Sequence, residues 1–138
     1  MLELNAFDNK VLGSAENLPF EDNSFDNVFC SFVWRNVSDT NNALNEVYRV
    51  LRPGGKFVLL DMTRPKNSFL RMLHKIGTFK VLHLIGLITF NLKEYRFLYK
   101  SLDFYPQPEE HLKKDTFTDL QIERMGLFNF VYLAVFTK

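Results

Sequence analysis

Two stretches of this chain carry residue types that could do chemistry at a strand end. The first is Gly13-Ser14-Ala15-Glu16-Asn17-Leu18-Pro19-Phe20, directly after Lys10-Val11-Leu12, which reads as a short strand closing at glycine. In an open α/β sheet ligands bind beyond the carboxyl ends of the strands, so a nucleotide would lie against this loop. A small residue such as Ala15 lets the backbone approach an adenine ring, and the Ser14 hydroxyl can bond the exocyclic amine. An ordinary connecting loop is the plainer reading of the same residues. The second stretch is Ser31 to Asn36, at the end of the apolar run Phe25–Phe32. Arg35 reads alone as a solvated loop cation and Asn36 as a turn or cap residue. Trp34 suits either ring stacking or core packing. Asp61, closing the run Phe57-Val58-Leu59-Leu60, either touches a substrate or caps the next turn.

Other reactive types are better explained without chemistry. Cys30 has apolar neighbours on a strand and reads as a buried small hydrophobe rather than a nucleophile. His74, His83 and His111 show no metal-ligand spacing with Cys, Asp or Glu, so no metal site is expected. One cysteine excludes an internal disulfide framework and fits a reducing compartment.

The elements that must position these residues form a recognisable unit. Phe25–Phe32 reads as a buried strand after the turn cluster Glu21-Asp22-Asn23-Ser24. Ser38 or Asp39 can cap a helix whose apolar positions are Ala43, Leu44, Val47, Val50 and Leu51. Pro53-Gly54-Gly55 stops it, and Phe57–Leu60 follows as a second buried strand. This βαβ pattern makes the two strands parallel neighbours. Residues 66–102 read as helices interrupted at Gly77 and Gly86. The apolar run Phe79–Leu92 within them is too short for the ~20 residues that cross a bilayer. A polar helix is expected near Glu109–Lys114. Leu120–Met125 and Phe128–Phe136, separated by Gly126, read as an antiparallel hairpin finishing the sheet. The expected class is α/β in one domain spanning 1–138.

Composition narrows the classes further. The 138 residues are 46% hydrophobic and 24% charged, which excludes disorder. A formal net charge of +1 gives no nucleic-acid footprint. Fifteen phenylalanines imply a large buried area or an apolar pocket. The start, Met1-Leu2-Glu3-Leu4-Asn5, shows no leader pattern, so a cytoplasmic location is expected. Charge is unevenly placed: residues 1–63 carry a net −4, residues 64–100 a net +7 and the remainder a net −2. The middle segment therefore faces something different from the rest. Its cations over apolar surface suit contact with anionic lipid, giving an expected peripheral membrane association, or else a core helix with Lys and Arg snorkelling to water.

The strings GSAENLPFEDNSFD, SFVWRNVSD, ALNEVYRVLRPGGKFVLLD and KEYRFLYKSLDFYP occur in the order seen in class I S-adenosylmethionine-dependent methyltransferases. Within that class they are most similar to the C-methyltransferases of ubiquinone and menaquinone biosynthesis. The opening Met1-Leu2-Glu3 also resembles the helix after that family's second strand. The resemblance implies a Rossmann-like methyltransferase fold with parallel strands and a carboxyl-terminal antiparallel hairpin, holding the third to seventh strands of the order 3-2-1-4-5-7-6. It makes S-adenosylmethionine the cofactor, Ser14 and Ala15 the pair at its adenine, and Ser31 a further cofactor contact. Ser14 departs from the Asp or Asn common at its position, which weakens the bond to the amine. Arg35 and Asn36 match the Arg-Asn pair at a quinol-type acceptor, where a cation stabilises the ring phenolate and makes its ortho carbon nucleophilic. Residues 66–105 resemble the helical cover of the acceptor pocket.

One part of that family's pattern is missing. None of Gly13, Gly54, Gly55, Gly77, Gly86 and Gly126 forms a G-x-G turn after a strand, the turn that holds the methionine and ribose moieties. No acidic residue stands after a second strand to hold the ribose. The chain then reads as a fragment of a longer product, as one half of an enzyme completed by an amino-terminal half, or as a non-catalytic relative that dimerises. In the chain by itself the strand Phe25–Phe32 is expected to leave an unpaired, apolar edge.

Overall fold

The computed structural model describes residues 10–112 and 116–138. Their core is a four-stranded mixed sheet in the order β1-β2-β4-β3, with β1 Phe25–Ser31, β2 Leu51–Met62, β3 Asp119–Met125 and β4 Val131–Thr137. β1 and β2 are parallel, joined by α1 (Thr40–Val50), while β4 runs antiparallel to both β2 and β3. The expected βαβ unit and closing hairpin are thus both present, and the order matches the fourth, fifth, seventh and sixth strands of the family sheet.

α1 forms because Asp39 accepts a hydrogen bond from the Asn42 N–H (3.0 Å), satisfying a free donor of the first turn. On its apolar face Ala43, Leu44 and Val47 share one core with Leu51, Phe57 and Leu59 of β2 and Phe136 of β4, and Val50 is buried at the helix end. The helix ends at Val50 and the chain enters β2 at once, so Pro53-Gly54-Gly55 lies within the strand's first turns rather than in a separate loop. A Cβ on Gly55 would stand 2.9 Å from the Asp26 carbonyl oxygen, and only glycine lets β1 approach there.

Several expectations fail for identifiable reasons. Lys10–Leu12 is not a strand: no described strand lies beside it, and without a partner an extended segment has no ladder to join. α2 runs unbroken from Ser68 to Ile88 through both Gly77 and Gly86, since neither takes a positive φ. The turn comes instead at Thr89–Asn91, with Phe90 at φ 57°, and α3 (Leu92–Phe104) folds back along α2. A Cβ on Gly86 would lie 3.1 Å from the Leu92 Cα, so glycine makes that return tight. The polar helix is a single turn, α4 (Pro108–His111); the expected extension over Lys113 and Lys114 lies outside the described residues, as does the opening segment. β4 starts at Val131, because a 3₁₀ turn over Leu127–Asn129 with positive φ at Gly126 and Asn129 uses up the start of the expected strand.

A candidate acceptor and cofactor site at the strand ends

Ser31 ends β1 and Asp61 stands next to the end of β2. Because side chains alternate along a strand, Asp61 continues the buried stripe Phe57, Leu59, Asp61 and is fully buried. A lone carboxylate there would be costly. A 3₁₀ turn, Trp34–Asn36, supplies its partner. Arg35 pairs its Nη1 with Asp61 Oδ1, and its backbone N–H donates to Asp61 Oδ2 at 3.3 Å. The Met62 N–H donates to Oδ1 at 2.7 Å. Only 8% of the Arg35 side chain is exposed, so this arginine is clamped rather than solvated. Trp34 packs in the core against Phe57, with ring centroids 5.5 Å apart, and core packing rather than ligand stacking is its role.

Around the ion pair sits a group of polar atoms that have no partner among the described residues. Tyr132 is directly opposite Asp61 in the β2–β4 register and is fully buried. Its Oη, the Oη of Tyr105, the Nε2 of His111 and the Nε of Arg35 are all buried and have no hydrogen-bond partner among the described residues. Tyr105 and His111 meet edge to face at 4.6 Å. The His111 Nδ1 lies 2.8 Å from the Gln107 carbonyl oxygen. A carbonyl only accepts, so Nδ1 carries the proton and Nε2 presents a lone pair. Burial raises the pKa of both phenols, with the Asp61 charge as the next cause, and burial lowers that of His111. Cys30, half-buried on β1, is pushed up to about 11 by burial and by Asp61, so it is no nucleophile. Buried polar atoms are rarely left unbonded. Three around one ion pair, together with the Nε of its own arginine, mark a place where a polar ligand would find hydrogen-bonding groups already in position.

The Ser14 loop meets the same end of the sheet through a residue the sequence reading left aside. Glu16 Oε1 accepts from the backbone N–H groups of Ser38 and Asp39 at 3.0 and 2.9 Å, and its own carbonyl accepts from Asn42 Nδ2 at 2.7 Å. A carboxylate suits the amino terminus of α1 electrostatically. Ser14 and Ala15 are thereby held, exposed, on a turn beside α1, with the Ser14 Oγ accepting from the Glu16 N–H at 3.2 Å. Farther along, Arg49 ties the loop to α1 through the Leu18 and Phe20 carbonyls and Asp22. Glu46, bonded to Arg49 and to the Leu18 N–H, is held down at about 2. Ser31 and Asn36 are exposed at the carboxyl end of β1 and in the turn beyond it.

Of the expected site residues, Arg35 is bound to Asp61, while Ser14, Ala15, Ser31 and Asn36 stand on open surface around that end. Tyr105, Tyr132 and His111 were missed. Asp61 was the available signal, as an acid in phase with an apolar stripe. Among the described residues no group of His, Cys, Asp and Glu could hold a metal ion.

The model of the ubiE/COQ5 methyltransferase family matches residues 7–133. The chain belongs to this family. It is 45% identical over 112 residues to the ubiquinone/menaquinone biosynthesis C-methyltransferase of Rickettsia bellii, covering 79% of the chain and 45% of the relative. With the Rickettsia felis protein of the same name it shares 38% over 131 residues, 91% of the chain and 53% of the relative. The chain thus spans about half the length of the curated relatives it matches. In fold it is similar to an S-adenosylmethionine-dependent methyltransferase of Thermotoga maritima (TM-score 0.60, 21% identity), covering 91% of the chain and 62% of that structure. The Rossmann-like fold follows from this family and this likeness together.

Proposed function

We propose that this chain supplies the acceptor-binding part, and the adenine edge of the cofactor site, of an enzyme that transfers the methyl group of S-adenosylmethionine to a ring carbon of a quinol-type acceptor. The observation that carries this reading is the buried Arg35–Asp61 pair at the strand ends, surrounded by the unbonded atoms of Tyr105, Tyr132 and His111. The cofactor, when bound, supplies an electrophilic methyl on a sulfonium.

The chain's own residues act on the other reactant. Arg35 holds negative charge on a ring oxygen, which raises electron density at the ortho carbon. Asp61 keeps the guanidinium in place and so positions it. The two phenols and His111 can bond further ring oxygens. Ser14 and Ala15 fit the adenine edge, with Ser31 as a further contact and Asn36 beside the acceptor. The described residues offer no counterpart for the ribose and methionine moieties, so S-adenosylmethionine should bind the chain alone weakly or not at all.

The decisive assay mixes the chain with the amino-terminal half of the Rickettsia bellii relative, S-adenosylmethionine and a quinol lacking the methyl group. Methyl transfer is expected, and Arg35→Met should lower its rate by about 10²–10³, the usual effect of losing one charge-stabilising donor. No turnover in the complemented mixture would sink the reading, as would tight cofactor binding by the chain alone in calorimetry. A second reading has its own observation: among the described residues β1 is an open sheet edge, and Phe29 on it is 74% exposed. A non-catalytic pairing module would then give dimers in light scattering and no turnover with any complementing half.

A further inference from the structure

Residues 14–17 close on themselves as a turn: the Asn17 N–H donates to the Ser14 carbonyl oxygen at 3.1 Å, and the Glu16 N–H donates to Ser14 Oγ at 3.2 Å. Ser14 and Ala15 therefore move with Glu16. Among the described residues every hydrogen bond that leaves this turn runs through Glu16. Its Oε1 takes the Ser38 and Asp39 N–H groups at 3.0 and 2.9 Å, and its carbonyl oxygen takes Asn42 Nδ2 at 2.7 Å. The next tie along the chain is the Leu18 N–H to Glu46 Oε2 at 2.9 Å. On the far side of the bridge, only Val37 separates Ser38 from the 3₁₀ turn that carries Arg35 and Asn36. One carboxylate thus joins the turn at the adenine edge to the turn at the acceptor. The helix does not need it for a cap, because Asp39 already accepts from the Asn42 N–H and the apolar face of α1 is buried.

We propose that Glu16 is a positioning residue, which holds the Ser14–Ala15 edge of the adenine site in a fixed place relative to the turn carrying Arg35 and Asn36. The inference rests on the methyl-transfer reading and names a residue that reading leaves without a role. The adenine is joined to the reacting sulfonium only through the ribose, so its contacts are alike before and during methyl transfer. Losing their placement weakens cofactor binding uniformly, which raises KM and spares kcat. A role in folding alone would lower the active fraction, and with it kcat, at unchanged KM.

Two measurements test it. In the complemented mixture, Glu16→Ala should raise the KM for S-adenosylmethionine at least about tenfold, the scale of one hydrogen bond to a charged group, and change kcat less than about twofold. Glu16→Gln keeps an oxygen for the same two donors, and its KM should stay within about threefold of wild type. Glu16→Asp, one methylene short of the span, should behave like Glu16→Ala. The second measurement needs no cofactor: amide exchange followed by NMR on the whole chain. In Glu16→Ala the Ser38 and Asp39 amides should exchange faster, and so should those of Glu16 and Asn17, while β2 stays protected. Glu16→Gln should leave all four slow. Unchanged exchange at Glu16 and Asn17, an unchanged KM in Glu16→Ala, or a fall in kcat at constant KM would each overturn the proposal. A wild-type mixture without turnover would instead remove the methyl-transfer reading, and with it the role given to Glu16.

Discussion

The sheet with α1 and the α2–α3 hairpin are built from equally apolar sequence, yet they bury it to opposite extents. In the first region Val50, Leu51, Phe57, Leu59 and Phe136 are sealed from solvent. In the second, Phe69, Ile76, Phe79, Leu84 and Phe97 are all about half exposed or more. What differs is the partners each element has. β2 has a strand on either side and a helix across one face, while α2 packs mainly on α3 and meets the end of the sheet only near His74, whose ring lies 5.3 Å from that of Phe130. Hydrophobic composition fixes how much surface a segment would bury, and topology fixes how much it can. The fifteen phenylalanines therefore do not add up to one large core.

The largest effect should come from removing the charge at the heart of the buried region. Asp61→Ala would leave the Arg35 guanidinium buried without a partner, a loss of about 3–5 kcal/mol in such pairs. Urea denaturation should show the drop. Replacing both residues, as Arg35→Met with Asp61→Leu, should recover most of it, because an apolar pair needs no compensation. If the double variant stays as unstable as the single, Asp61 contributes something other than neutralising Arg35.

A matched pair of truncations compares the two regions directly. Leu59→Ala opens a cavity under α1 and should lose about 2–5 kcal/mol. Ile76→Ala removes a side chain already 49% exposed and should change stability by less than about 0.5 kcal/mol. Comparable losses at the two sites would mean that α2 is covered in solution by something beyond α3.

The contrast also separates what could be read from the sequence. Strand β1, the capped α1 and the closing hairpin follow from local pattern: an apolar run, an Asp at the cap and two extended stretches around Gly126. Lys10–Leu12 has the composition of a strand, but pairing is a non-local property that composition does not encode. Glycines 77 and 86 suggested breaks because glycine is costly in a helix, yet the cost is small beside a continuous 21-residue ladder. In the site, Arg35 was legible as a residue type. Its burial was not, since that depends on Asp61 twenty-six residues later. Tyr105, Tyr132 and His111 come from three separate elements or connections, and only the fold brings them to one end.

Acid should loosen the bond between the two regions before it unfolds either. Arg64, 3% exposed just after β2, reaches Asp103 of α3 through Nε at 2.9 Å, and Thr78 and His74 of α2 through Nη1 at 2.8 and 3.2 Å. Its guanidinium only donates, so His74 Nδ1 must accept, which requires a neutral ring. Burial, then the Arg64 charge, lowers the His74 pKa below its usual 6.5. The unfolded chain then binds the proton more readily than the folded one. Stability is therefore full above about 6.5 and falls as pH drops below it. His111, lowered chiefly by burial, adds to the same slope. Urea midpoints at pH 7 and pH 5.5 should show the fall, and His74→Gln should flatten it; an unchanged slope would place the acid sensitivity elsewhere.

The smallest expected effect discriminates two glycines within one helix. At Gly77 a Cβ would meet nothing within 4 Å, so Gly77→Ala should stabilise by about 0.5–1 kcal/mol through helix propensity alone. At Gly86 the same methyl would stand 3.1 Å from the Leu92 Cα and 3.1 Å from its Cδ2. The backbone of α3 would have to give way, and the propensity gain should be cancelled or reversed. Thermal melts of the two variants should therefore move in opposite directions or, at the least, only Gly77→Ala should rise. If both rise equally, the return of α3 onto α2 is looser than the close approach at Leu92 implies, and the hairpin's end is free to open where it meets its partner.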